Sequence, residues 1–317
     1  MSKAKLIGQK LIELVVVLFV VTLLSFLLLS LVPGNPEVQI LGDNATPEAL
    51  AELRAELGLD DPLPTRYFRW LGDVLQGDLG RSDRLNQDVV DTLAEKIPVT
   101  LELAGLAIGV GVLFSVPLGI LSAWRAGGKV DRLITALSFG VLSLPGFLIA
   151  IGLLIIFAVK WRILPAAPAW VSFTDDPLTN LRNVILPVSA MALGEVAVLT
   201  RVLRSDMIEA LQSNFIEAAR AKGLPTRYIL VRHALPSSLL SMLTLIGLQI
   251  AGAMTGALVI EQIFGLPGLG QMLVIAILTR DLVLVQGAVL VIATAYVVVN
   301  FIVDLSYQLA DPRVRSG

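Results

Sequence analysis

A chain of 317 residues that is 56% hydrophobic and only 16% charged is more apolar than a soluble domain, in which about half the residues are apolar and about a quarter charged. The surplus lies in long runs, so the class is an all-α, polytopic helical membrane protein. There is no cysteine and one histidine, His233, which excludes disulfides, thiolate nucleophiles and any cysteine or histidine-cluster metal site, while the net charge of −2 matters less than its distribution.

A membrane crossing needs about 20 mostly apolar residues. Residues 11–32 supply the first, after Lys3, Lys5 and Lys10. That run is too long for a secretory leader and no small-residue cleavage site follows, so an uncleaved span is expected. Residues 34–98 come next as an external segment of two or three short helices. Thr46-Pro47-Glu48 is a helix-start pattern. Leu50, Leu53 and Leu57 then share a face, and Gly58 ends the run. Tyr67, Phe68, Trp70 and Leu71 are expected to form an apolar patch at the membrane surface.

Five further spans fall at residues 99–124, 133–159, 183–200, 235–260 and 282–303. The shorter stretch 263–278 contains Gly265, Pro267, Gly268 and Gly270 and reads as a re-entrant or interfacial piece. Pro117, Pro145 and Pro187 are expected to kink their spans. Gly105/Gly109 and Gly252/Gly256 are small-residue pairs suited to close packing, within the chain or with another. The organisation is therefore residues 1–33 as N-terminal tail and first span, 34–98 as the external segment, and 99–317 as a five-helix core with the loop 201–236.

Orientation follows from Lys and Arg. With the N-terminus inside, the internal loops hold Arg125, Lys129, Arg132, Arg201, Arg204, Arg220, Lys222, Arg227, Arg232, Arg313 and Arg315. The external segment holds six basic against thirteen acidic residues. This obeys the positive-inside rule and puts both termini in the cytoplasm. Glu102, Glu195, Gln249, Asn300 and Asp304 lie in or near spans, where polar groups face a pathway, a partner or one another. Glu195, Gln249 and Asn300 are the pathway candidates; Glu195 has no basic residue within a helical turn.

The most informative loop carries Glu217-Ala218-Ala219, then Arg220, Lys222, Gly223 and Pro225, and closes on His233-Ala234-Leu235-Pro236. Two alanines permit close approach of a partner. Gly223 can end a helix in the left-handed conformation, and Pro225 suits the first turn of another. The product is a helix–turn–helix knob, or else an ordinary loop whose cations merely set topology. No phosphate-binding loop is present: Gly127-Gly128-Lys129 is followed by Val130 and preceded by Ala123 where a glycine is required.

The loop resembles the pattern Glu-Ala-Ala, three residues, Gly, nine residues, Ile, one residue, Leu-Pro of membrane subunits in binding-protein-dependent ABC importers. His233 replaces the isoleucine, as in the dipeptide/oligopeptide branch. Leu31-Val32-Pro33-Gly34-Asn35-Pro36, Gly77-Asp78-Leu79-Gly80-Arg81-Ser82, Pro98-Val99-Thr100-Leu101-Glu102, Ser143-Leu144-Pro145, Phe264-Gly265-Leu266-Pro267-Gly268-Leu269-Gly270 and Asp311-Pro312-Arg313 extend the resemblance along nearly the whole chain. It implies a type I importer permease with six transmembrane helices, without catalysis or cofactor. The resemblance further implies that such a chain forms half of a pathway for short peptides in a prokaryotic inner membrane. The partners implied are a second permease, two ATPases docked on the knob, and an extracytoplasmic solute-binding protein; no nucleic acid is expected. Relatives that carry nickel chelates or glutathione leave the cargo open. An ion-coupled secondary transporter would instead need inverted repeats and no knob. An intramembrane hydrolase needs a di-aspartyl or Ser/His site that the spans lack.

Overall fold

The computed structural model describes residues 3–30, 46–56, 58–82 and 84–310. The motifs at residues 31–36 and 311–313, together with Leu57 and the side chains of Leu53 and Asp304, lie outside the described residues. Helix α1 (Lys3–Ser30) is followed by the short helices α2 (Pro47–Glu56) and α3 (Leu63–Leu75) and a small hairpin of β1 (Arg81–Ser82) and β2 (Gln87–Asp88). The strands pair antiparallel, Arg81 opposite Asp88 and Ser82 opposite Gln87. The core then comprises α4 (Val89–Trp124), α5 (Lys129–Leu142), α6 (Gly146–Leu153, continued by a π-helical segment Leu154–Lys160) and α7 (Pro177–Leu211). Next come α8 (Asn214–Ala221), α9 (Thr226–Tyr228, continued by a π-helical segment Ile229–Ala234), α10 (Leu235–Phe264), α11 (Leu269–Leu278) and α12 (Leu282–Ala310).

Four of these contain straight apolar crossings: Gly8–Leu27, Val89–Trp124, Pro177–Leu211 and Leu282–Val303. Six is reached by counting the bent pair α5–α6 and the bent α10 as one crossing each. The halves Lys129–Leu142 and Gly146–Lys160 meet at 100°, and an angle of 53° separates Thr226–Leu239 from Ser241–Ile250. Helix α11 turns back by 70° from the end of α10, as the breakers between residues 265 and 270 imply.

Of the three prolines expected to kink spans, only Pro145 breaks one. Pro117 and Pro187 lie inside continuous helices. Pro145 is extended (φ −57°, ψ 138°) and starts α6, because proline disfavours helical geometry in the residue before it. The second span also begins earlier than expected, at Val89 rather than Val99, and runs through Pro98. Its 36 residues measure about 54 Å at 1.5 Å each, well beyond a hydrocarbon core of about 30 Å. Helix α7 starts where the Asp176 carboxylate accepts hydrogen bonds from the Thr179 hydroxyl (2.6 Å) and the amides of Thr179 and Leu178. Those donors, the Thr179 hydroxyl first, hold the carboxyl below its ordinary range.

The bundle has two ends. At the hairpin end, Val89, Leu93, Leu269, Met272 and Leu284 form one buried cluster, and Leu103, Val184, Leu186, Phe264 and Leu266 another. At the knob end, Leu203, Met207, Ile216, Ile229 and Met242 pack together. The expected surface patch on α3 is only partly at the surface. Phe68 is exposed, while Tyr67 is buried against α1; its hydroxyl shares a hydrogen bond with Thr22 (2.8 Å) and its ring meets Phe26 edge-on at 5.6 Å.

Close packing of α4 on α7 is carried by two buried glycines of α4, Gly111 and Gly119. A Cβ on Gly111 would meet Glu195, and one on Gly119 would meet Leu203. The expected pairs Gly105/Gly109 and Gly252/Gly256 do not pack within the chain, for a Cβ at any of them would find nothing within 4 Å. At Gly270 a Cβ would strike the backbone of Leu258, which cannot yield as a side-chain tip can. Gly270→Ala is therefore expected to destabilise the purified protein by about 1–3 kcal/mol. Gly105→Ala should leave its thermal midpoint in detergent near the wild-type value.

Candidate functional site

The knob is built from an amphipathic turn of chain. On α8, Ile216 and Ala219 are buried against Ile229, Leu230 and Ala234 of the next helical segment. The opposite face leaves Phe215, Glu217, Ala218, Arg220, Lys222, Arg227 and Arg232 exposed, and Pro236 with them; Leu235 is half-buried. Only one of the two expected close-approach alanines, Ala218, thus faces outward; Ala219 packs inward. Gly223 has φ +74° and its amide bonds the Arg220 carbonyl at 2.9 Å, so the chain reverses there in a conformation that L-residues rarely adopt. Pro225 is extended and precedes α9. The imidazole of His233 meets the Tyr228 ring at 5.5 Å.

Helix α7 runs directly into this knob. On the way it carries Arg204, which binds Asp131 at the start of α5 through both carboxylate oxygens (Nε–Oδ1 2.5 Å, Nη2–Oδ2 2.8 Å). The same carboxylate accepts from Ser122 of α4 (2.6 Å) and from the Gly127 amide (2.7 Å). Asp131 is only 3% exposed. One carboxylate therefore ties α4, α5 and α7 together immediately above the knob. From the sequence, Arg204 reads only as a topology-setting cation, and nothing local marks Asp131.

Mid-bundle, Gln249 of α10 donates to Glu195 of α7. The structure brings these two pathway candidates together but not the third. Asn300 on α12 shares no hydrogen bond with them, and its Oδ1 is buried without a partner. Glu195 borders a cavity of about 390 Å³ that lies against the Ser143–Pro145 break, with Gly146, Gly194, Gly252 and Gly256 in its lining. Irregular backbone at membrane depth is tolerated where it lines such a space.

At the hairpin end lies a further intramembrane acid, besides Glu195 and Glu102. Glu261 is fully buried. It accepts from Thr100 (2.6 Å) and from the amides of Gly270 (2.6 Å) and Gln271 (3.4 Å) at the start of α11. The Leu269 amide donates to the Thr100 hydroxyl (3.0 Å), and Gly265 takes φ +65° between the helices. The available signal was an acid one turn before a glycine-rich break, where a carboxylate can cap the helix that follows. Nearby, Ser82 of the hairpin donates to Asp281, whose other oxygen accepts the Leu284 amide at the start of α12 (3.2 Å). Among the described residues no group of three or more metal-ligating side chains occurs.

The family model described as "Binding-protein-dependent transport system inner membrane component" matches residues 115–316, and its N-terminal companion matches residues 4–104. The chain belongs to this family. It is 40% identical, over 98% of both chains, to a Brucella abortus protein named as a peptide transport system permease. It is 34% identical to the Escherichia coli D,D-dipeptide transport system permease protein DdpB, over 96% of this chain and 95% of that one. Among solved structures, an amino acid ABC transporter matches with TM-score 0.52 at 18% identity, covering 70% of this chain and 94% of that one. The inward-facing MetNI methionine ABC transporter matches with TM-score 0.53 at 18% identity, covering 69% and 96%. These two share the fold. As a permease of this family the chain is a multi-pass, all-α, non-catalytic subunit of an ABC transporter, and ATP hydrolysis sits on partner ATPases.

Removing Arg204, which is 30% exposed while Asp131 is buried, leaves a buried carboxylate without its cation. Arg204→Ala is expected to destabilise the protein by about 1–3 kcal/mol, read as a lowered thermal midpoint in detergent. The double variant Asp131→Asn/Arg204→Met should recover part of that loss. An Arg204→Ala protein as stable as wild type would remove this junction from the account.

Proposed function

We propose that this chain forms half of the translocation pathway of an ATP-driven peptide importer in a prokaryotic inner membrane. It would pair with a second, similar permease, receive cargo from an extracytoplasmic solute-binding protein, and dock two ATPases through its knob. Both termini and the knob lie in the cytoplasm; the segment 34–98 lies outside, above the core 99–317. Peptide cargo is supported by the names of the Brucella and Escherichia relatives.

The observation that carries this reading is the knob. Its inner face is apolar and its outer face cationic, and it continues α7, a helix of 35 residues or about 52 Å. Glu217, Ala218, Arg220, Lys222 and Gly223 form the outward surface on which an ATPase groove would close. Closure would shift the knob and, through α7 and the Asp131–Arg204 junction, rock α4 and α5 about the cavity beside Glu195. That is alternating access by rigid-body motion.

Two experiments test it. Because the chain has no native cysteine, single cysteines can be placed at the exposed positions Gln87 and Lys129. An impermeant thiol reagent added to intact cells is expected to label the first and spare the second; equal labelling overturns the orientation. The second places valine at Gly223, where φ +74° strains any β-branched residue. Gly223→Val should insert normally, yet lose roughly tenfold in peptide-stimulated ATP hydrolysis and uptake, the factor that 1–2 kcal/mol of left-handed strain represents. Wild-type uptake of nickel chelates or glutathione, with none of any di- to pentapeptide, would reassign the cargo and keep the machine.

A further inference from the structure

Glu195 is placed with some care by the fold. Its Cβ packs where a Cβ on Gly111 of α4 would stand, which fixes the root of the side chain at the α4–α7 seam. Its carboxylate reaches Gln249 on α10. The amide group can only orient it, since Gln249 carries no charge to neutralise it. No Lys, Arg or His lines the cavity that the carboxylate borders. A carboxylate beside an apolar space without a cation is costly unless a counter-charge arrives.

That space opens at the surface of the chain, where Leu142, Leu144, Gly146, Phe147, Gly252 and Gly256 are exposed. Gly146, Gly194 and Gly252 line it, and a Cβ at any of them would meet nothing within 4 Å; the same is true of Gly256. The walls otherwise come from Leu142, Phe147 and Met191 among other apolar groups. The volume, about 390 Å³, falls within the range of about 300–1,000 Å³ of small-ligand sites. Such a site is indifferent to side-chain identity and exacting about one charge.

We propose that Glu195, oriented by Gln249, is the subsite that receives the free α-ammonium of a peptide in transit. This rests on the peptide-importer reading above. Peptides differ in side chains and share two charges, the α-ammonium and the α-carboxylate. A lone carboxylate in a cavity walled by glycine and apolar residues matches the first of these and leaves the side chains unread. A charge-assisted hydrogen bond between the ammonium and Glu195 is a strong, short contact, and it selects for a free amine over a blocked one.

The test uses the complete complex of this chain with its partner permease and ATPases, purified without the solute-binding protein. A tripeptide bearing a diazirine photolabel is cross-linked to this chain, and unlabelled tripeptides compete, one with a free amine and one N-acetylated. On wild type the free-amine peptide is expected to compete at about tenfold lower concentration, the size of one charged hydrogen bond. In Glu195→Gln that advantage should vanish, and in Glu195→Asp it should be reduced. Gln249→Leu should weaken it as well. Co-elution of each variant with its partner subunits establishes assembly. Equal competition on wild type, a retained advantage in Glu195→Gln, or no cross-linking to this chain overturns the assignment. Uptake of peptides by the wild-type complex in proteoliposomes, with the solute-binding protein added back, separates the two levels. Uptake with no amine preference at Glu195 defeats only the subsite, whereas the absence of any peptide uptake defeats the peptide reading itself.

Discussion

Inside a bilayer, two helices gain nothing by hiding leucine from lipid, so α4 and α7 must hold one another by close contact. Two buried glycines of α4 let them approach until Gly111 touches Glu195 and Gly119 touches Leu203. Every functional element described here is placed relative to that seam. Glu195 sits on it, Arg204 directly follows its last contact at Leu203, and the knob is the continuation of α7. A bulkier residue at Gly111 would push α7 away and move all three.

The two ends of the bundle are closed by carboxylates in different ways. At the knob end Asp131 gathers an arginine, a serine and a backbone amide, so a charge removed from water is paired and its remaining lone pairs are used. At the hairpin end Glu261 has no cation and relies on a hydroxyl and two helix-terminal amides, where the positive end of α11 supplies the compensation. Between them Glu195 has only an amide. Of these three acids, the two with several donors hold helices together, and the one with a single amide partner borders open space.

Much of this was legible in the sequence, and the reasons are local. The knob could be read from Gly223 and Pro225 because left-handed turns and helix starts are set by individual residues. The sharp bend before α11 could be read from glycines that cannot sustain a crossing. The positions that escaped were those decided by partners far away in the chain. Asp131 and Arg204 are 73 residues apart, Thr100 and Glu261 161, and Ser82 and Asp281 199; no periodicity links such pairs. That the two glycine pairs do not pack within the chain was hidden for the same reason. Gly105/Gly109 has the right spacing, yet the face that meets α7 is the one bearing Gly111 and Gly119, and spacing cannot say which face turns inward. Pro117 and Pro187 show that a proline leaves a long helix continuous when neighbouring helices support it.

The central claim, that the knob is where chemical energy enters, has a direct test. A single cysteine replacing the exposed Ala218 in the otherwise cysteine-free chain can be joined to neighbours by a short bifunctional reagent in the assembled complex. The expected product is a covalent adduct with an ATPase subunit, whose yield changes when ATP binds, with no such adduct from a cysteine at Asn86 on the hairpin. An Ala218→Cys protein that never links to an ATPase, while Asn86→Cys does, would contradict the account.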